Sequence, residues 1–246
     1  MNKGFFLVPQ LLLVSSTALA GTMGEVVEGY RKVITLSGGP AWTSRVNSQN
    51  IYFEPELMMS FKAHDHNTTL GTGEAFFGVQ HSLRQQLTYQ LGLAISGSSD
   101  GKLAGNVWID DIPEFNDYLY KYKISHTHVA VKGKLLADIG YVLQPYLSAS
   151  LGAGFNRAKN FSDTPTIFEQ LAFPNFGSHT KTAFTYTVGA GVQTALNANW
   201  GMGLGYEFAD WGKSRLDPCR TQLIGTGLKL NHLYTHQLQF SLSYLI

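Results

Sequence analysis

The last eleven residues, HQLQFSLSYLI, place a large apolar side chain at every second position. Leu238, Phe240, Leu242, Tyr244 and Ile246 hold every second place, with Gln237, Gln239, Ser241 and Ser243 between them. A period of two is strand geometry, with one face apolar and the other polar. Chain ends are ordinarily polar and loosely held. A strand carried to the final residue therefore asks for a neighbouring strand and for something apolar against its outer face.

The pattern recurs upstream. LTYQLGLAI sets Leu87, Tyr89, Leu91, Leu93 and Ile95 against Thr88, Gln90, Gly92 and Ala94. YLSASLGAGF, FTYTVGAGVQ and WGMGLGYEF do the same, and weaker versions run through Lys32–Thr43, Thr72–His81 and Lys123–Ala137. With the terminal segment there are eight strands. The apolar set is rich in Leu, Tyr and Phe; the set between is mostly Gly, Ser, Thr and Gln, too small and polar for a dry core. Such strands place their apolar face outward, as in a membrane barrel rather than a soluble one.

The N-terminus agrees. Lys3, an apolar run from Phe5 to Val14, and Ala18-Leu19-Ala20 before Gly21 follow the order of a secretory signal, expected over 1–20 and cut after Ala20. The mature barrel domain is then expected over 21–246. No later segment is continuously apolar over the ~20 residues a spanning helix needs. A net charge of +1 argues against a nucleic-acid partner. The single cysteine, Cys219, has no intrachain partner.

Connections fall into two classes. Ser82–Gln85, Asp138–Gly140 and Asn197–Asn199 are brief, whereas Ser44–Gly71, Gly97–Tyr118, Asn156–Ser178 and Trp211–Asn231 are long and polar. Short turns on one side and long loops on the other are the signature of an outer-membrane barrel, with the loops facing outward from the cell. The expected fold is thus an all-β, eight-stranded antiparallel up-and-down transmembrane barrel. IYFEPELMMSFK also alternates and leaves ten strands as an alternative, although it reads better as an extension of the first loop folding back above the membrane. Tyr120 and Tyr122 sit in the lumen phase of their strand. Either a bulge near His126 or a strand projecting beyond the bilayer accounts for them.

Eight strands leave a bore that side chains roughly fill. Glu74, Lys132, Lys134 and Glu207, with His128, fall in the inward phase. They either form a buried network that plugs the lumen or line hydrated space. Lys121, Lys123, Arg157, Lys159, Lys181, Lys213 and Arg215 gather where this topology puts the outer rim. There they either pair with lipopolysaccharide phosphates or are solvated. Asp110, Asp111, Glu114 and Asp117 make one loop acidic, which reads as solvated before it reads as a divalent-cation bridge.

Candidate chemistry is thin. The glycine runs lack G-x-G-x-x-G between strand and helix. His64-Asp65-His66, like His232 with His236, is short of a full ligand set. Ser125 with His126 or His128 is the closest nucleophile and base, with no acid beside them. No enzyme activity, cofactor or metal is expected.

VITLSGGPAW, GYEFADWGKS and LNHLYTHQLQFSLSYL resemble small OmpA/OmpW-type outer-membrane β-barrel proteins of gammaproteobacteria, over essentially the whole mature chain. The resemblance implies insertion by the outer-membrane assembly machinery, which reads an alternating C-terminal strand that usually ends in an aromatic residue. Phe240, Leu242 and Tyr244 fit that signal and Ile246 departs from it. The wall-anchoring role of the longer OmpA proteins is not expected, because no peptidoglycan-binding domain follows the barrel strands in this sequence. Expected partners are outer-membrane lipids and lipopolysaccharide, the assembly machinery and, through the loops, a host or surface ligand. The expected role is structural and surface-interacting; a narrow path for small apolar solutes, as in OmpW-like relatives, is the alternative, and a lipid-modifying enzyme stands third.

Overall fold

The computed structural model describes residues 29–44, 48–54, 56–64, 68–84, 86–168, 171, 175–220, 222 and 225–246; the expected signal segment lies outside them. The described strands are β1 (Arg31–Thr43), β2 (Gln49–Glu54), β3 (Leu57–Ala63), β4 (Thr69–Arg84), β5 (Leu87–Ser98), β6 (Gly101–Ile109), β7 (Asn116–Ala137) and β8 (Gln144–Pro165). After them come β9 (His179–Ala195), β10 (Trp200–Asp210), β11 (Ser214–Arg215), β12 (Lys229–Leu230) and β13 (Tyr234–Leu245).

Antiparallel ladders join β1, β4, β5, β7, β8, β9, β10 and β13 in that order, and β13 returns to β1. The ring therefore closes on eight strands. Closure matters because lipid offers no hydrogen bonds, so backbone groups at that depth must pair with one another. Leu36, Phe77, Leu93, Val131, Leu151, Phe184 and Phe240 stand exposed on the outer face, while Thr35, Glu74, Gln90, Lys132, Ser150, Thr187 and Gln237 are buried inside. Water would not tolerate so continuous an apolar surface; a bilayer accepts it. Aromatic residues mark both edges of this band. Trp200 packs on Tyr244 at 4.8 Å on the short-turn side, and Phe208 on Tyr234 at 5.7 Å on the other.

Beyond the ring the strands continue. Trp42 faces Thr69 and, past the breaks at 44–48 and 64–68, Gln49 faces Phe61. The chain of β1–β2 and β3–β4 is thus one long interrupted hairpin. Likewise β5 and β6 run in sequence along β7, Gly97 facing Thr127 and Gly101 facing Ile124. With the upper part of β8, which follows β7 as far as Pro165, they form a sheet β2-β3-β6-β7-β8 outside the membrane. Much of what sequence reading assigns to loops at Ser44–Gly71, Gly97–Tyr118 and Asn156–Ser178 is therefore strand. IYFEPELMMSFK makes the β2–β3 hairpin of this extension and adds nothing to the ring, which removes the ten-stranded alternative.

The extension has a dry interior. Phe53, Phe61, Val107, Tyr118, Tyr120, Tyr122, Ile124 and Phe161 are buried there, and the chain between β10 and β13 closes over them with Trp211, Leu216, Leu228, Leu230 and Leu233. Edge-on aromatic pairs lock it, Phe61 with Tyr120 at 5.4 Å and Phe161 with Phe176 at 4.9 Å. Tyr120 and Tyr122 are inward because β7 projects beyond the bilayer, its alternation unbroken through His126. The irregularity lies across the ladder in β8, where the pairing shifts opposite Lys121–Lys123 and Asn160 takes φ 56°.

Inside the ring, missing side chains are as decisive as present ones. Tyr146 of β8 lies along the inner wall over the neighbouring strands β9 and β10, where a Cβ at Gly191 would stand 2.7 Å from its Cζ and one at Gly205 would overlap its hydroxyl. Glycine at those positions leaves room for the phenol.

Candidate functional site

The bore is filled in layers. Near the short-turn end, Val33, Phe76, Ala94 and Leu245 form a small apolar cluster. The ion triad crosses the middle. Lys132 Nζ of β7 lies 2.6 Å from Glu74 Oε1 of β4 and 2.8 Å from Glu207 Oε2 of β10, all three buried. Gln239 Nε2 donates to the remaining Glu207 oxygen at 3.2 Å. An ammonium has three protons to give and each carboxylate several lone pairs, so one lysine can tie two walls of the barrel. Lys134 stays out of the triad; its Nζ donates to Gln193 Oε1 at 2.5 Å and sits 3.9 Å from the centre of the Tyr146 ring. The void left among these groups, Gln90 and Ser148 is about 40 Å³.

Above the triad, His128 Nδ1 and His126 Nε2 are 2.9 Å apart, so one of them carries the shared proton. His126 Nδ1 meets Asn156 Oδ1 at 2.7 Å, and Asn156 Nδ2 donates to the backbone oxygens of Trp211 at 2.6 Å and Lys213 at 2.9 Å. The Trp211 ring lies flat on the His126 ring, 4.3 Å away. Trp211 is therefore the floor of the dry extension and the ceiling of the polar bore. Sequence reading placed Trp211 in a loop; the buried pairing of Asn156 with its backbone is what carries it inward.

The serine and histidine of the sequence-level catalytic candidate face opposite ways. Ser125 lies in the outward phase of β7 and His126 is buried in the inward phase, so alternation itself separates them. A different serine does meet a histidine. Ser44 Oγ is 3.3 Å from His236 Nε2, and Tyr206 Oη is 2.5 Å from His236 Nδ1. The Ser44 amide already donates to the Tyr234 oxygen, so it is not available to a developing oxyanion.

The basic rim divides. Lys121, Lys123, Arg157 and Lys159 point outward from the paired wall of β7 and β8. Lys181 lies in the inward phase of β9 opposite Asn156, and Lys213 and Arg215 belong to the segment that carries Trp211 inward. The acidic loop is open to solvent at Asp110, Asp111 and Glu114. Asp111 is 2.5 Å from Lys62, whose hydrogen bond, with one from Ser60, holds the carboxyl below the usual carboxylate range. Asp117 is buried. Asp65 and His66 lie outside the described residues. At the C-terminus Phe240, Leu242, Tyr244 and Ile246 are exposed on the outer face, and Ile246 exchanges backbone hydrogen bonds with Lys32 at 2.9 and 3.1 Å.

A closed ring of alternating strands with ions inside and hydrocarbon outside has counterparts. The family model described as "Outer membrane protein beta-barrel domain" matches residues 59–245. The chain belongs to this outer-membrane β-barrel family. Among solved structures it is similar to Neisserial surface protein A, at 12% identity and TM-score 0.45, covering 88% of this chain and 99% of that one. OprG from Pseudomonas aeruginosa is 10% identical with TM-score 0.42 over 89% and 99% of the two chains. Ail of Yersinia pestis, solved with a heparin analogue, is 17% identical with TM-score 0.35 over 87% and 99%. Among curated proteins none matches.

Proposed function

We propose that the protein is a non-catalytic, closed barrel that holds a rigid β-sheet extension outside the cell for contact with a surface ligand. The triad of Lys132 with Glu74 and Glu207 carries this reading. It ties three strands across the bore at the height where a channel would need open water. The sealed apolar interior above it works the same way, since a solute path would have to open two layers of opposite polarity. A ligand surface is supported at the tip, where Ile112, Phe115, Ile167, Phe168 and Leu171 are exposed, Phe168 by 91% and Leu171 by 86%. The strand-closing Phe240, Leu242, Tyr244 and Ile246 serve as the assembly signal.

The test is planar-bilayer recording on refolded full-length protein. The closed reading expects no steady conductance; large, steady openings overturn it. One observation favours the transport reading instead. Between the pairs Ala63 with Gly105 and Thr72 with Ser98 the regular ladder gives way to scattered hydrogen bonds, among them Thr68 Oγ1 to the Lys102 oxygen, and a hollow of about 90 Å³ there is lined by Thr68, Leu103, Tyr120 and Tyr122. Uptake of a small apolar solute into protein-containing vesicles, surviving removal of the Ile167–Leu171 tip, would decide for that reading.

A further inference from the structure

On the outer wall, one transverse row of the sheet is made of lysines. Lys102 of β6 faces Lys123 of β7, and Lys123 faces Lys159 of β8. Arg157 is one outward position below Lys159, and Lys121 one above Lys123. Lys102, Lys121 and Arg157 are exposed, and the side chains of Lys123 and Lys159 retain 39% and 23% of their surface. Among the described ion pairs, the only carboxylate serving this row is Asp100, 2.9 Å from Lys159 Nζ and 3.9 Å from Lys123 Nζ. Like charges directly opposite one another across a ladder repel. The row is therefore unfavourable until an anion lies over it.

Its height says which anion. Outward positions on β8 run Leu147, Ala149, Leu151, Ala153 and Phe155, then Arg157 and Lys159. At about 3.3 Å per residue and a tilt near 40°, the climb from Leu147 to Arg157 is about 25 Å, the height of a barrel's apolar band. The cations thus begin where the hydrocarbon ends, and they face sideways over the outer leaflet. We propose that Lys102, Lys121, Lys123, Arg157 and Lys159 bind the phosphates of an outer-leaflet glycolipid of the lipopolysaccharide class. Arg157 supplies the planar fork that grips a phosphate with two parallel hydrogen bonds, and the lysines supply point charges around it. Asp100 lowers the net charge of the row and spaces Lys123 from Lys159. This site rests on the membrane-barrel reading and is independent of whether the lumen is closed, since lipid retention and conductance are read separately.

The test uses full-length protein in nanodiscs, titrated with bisphosphorylated lipid A. Each cation removed costs roughly fivefold in affinity, so the K102Q/K123Q/R157Q/K159Q variant should lose several hundredfold. Asp100→Asn should bind several-fold more tightly, which a purely structural ion pair would not do. Lys181→Gln with Lys213→Gln should leave binding unchanged. Unaltered binding by the quadruple variant, with its heat-modifiable gel mobility intact, overturns the site. Equal binding of dephosphorylated lipid A also overturns it. If heparin or inositol hexakisphosphate binds in a manner dependent on the row while lipid A does not, the ligand is a soluble polyanion and the lipid proposal fails. Should the quadruple variant not fold, Asp100→Asn alone should still bind several-fold more tightly and Lys102→Gln alone roughly fivefold more weakly, and unchanged binding by both overturns the site.

Discussion

One strand, β7, passes through two regions with opposite rules. In its lower half the inward residues are His128, Lys132 and Lys134 and the outward ones Val129, Val131 and Leu135; in its upper half the inward residues are Tyr118, Tyr120 and Tyr122 and the outward ones include Lys121 and Lys123. The phase never changes, so the backbone is one continuous ribbon. What changes is the medium outside. Against hydrocarbon, apolar side chains face out and the bore takes the polar ones; against water, the bore becomes the refuge for apolar surface. The lower region is consequently held by ion pairs and hydrogen bonds inside a small void, and the upper one by ordinary aromatic packing. The His126–Trp211 stack is where the two meet.

The comparison can be broken from either side, beginning with the largest effects. Replacing Lys132 with Met leaves Glu74 and Glu207 buried and uncompensated, which should cost about 3–5 kcal/mol. In urea titration of vesicle-embedded protein this loss should fall on the ring. The E74Q/K132M/E207Q triple variant should recover part of it, because no bare charge remains. Phe61→Ala should cost a similar ~3–5 kcal/mol, but in the other region. Protease should then cut within 49–63 while the ring keeps its heat-modifiable gel mobility. A smaller contrast comes from the outer face. Leu151→Arg places a charge in the apolar band and should cost roughly 2–4 kcal/mol, whereas Leu119→Arg, outward on the extension, should stay within about 0.5 kcal/mol. Equal costs at the two sites would mean that both face the same medium.

The smallest effect concerns Asp111. Its carboxyl is held below the usual range by Lys62, so its contribution is present above the ordinary carboxylate pKa. It is lost as pH falls through the lower folded-state value. Hydrogen exchange at 109–112 should therefore quicken in acid beyond the intrinsic pH dependence, and Asp111→Asn should remove that excess.

How much of this was legible depended on which medium a residue faces. The ring strands read directly, because Leu91, Leu151 or Leu242 alternates with Gly, Ser or Thr against lipid. Past the membrane the same phase carries the reversed polarity, so Leu103 and Val107 alternating with Lys102 and Asn106 look like a polar loop. Tyr120 and Tyr122 were the visible trace of that reversal. The inward positions of Glu74, Lys132 and Glu207 followed from alternation, whereas their meeting required the relative heights of β4, β7 and β10, which the barrel stagger sets. Lys102 was missed because its place beside Lys123 depends on how β6 continues β5 after the break at Ser99 and Asp100. The inward fold of Trp211 had no periodic signal at all; only its buried partners reveal it.

The reversal along β7 can be measured residue by residue. Nitroxide labels are placed on single cysteines from 118 to 136 in a Cys219→Ser background, and their collisions with oxygen and with a water-soluble nickel chelate are compared in vesicles. Labels at 129, 131 and 135 should favour oxygen, those at 119, 121 and 123 should favour nickel, and even-numbered positions in both halves should be shielded from each. Lipid-like signals at 119 to 123, or a shift of the shielded phase from even to odd positions near His126, would contradict a single ribbon crossing from hydrocarbon into water.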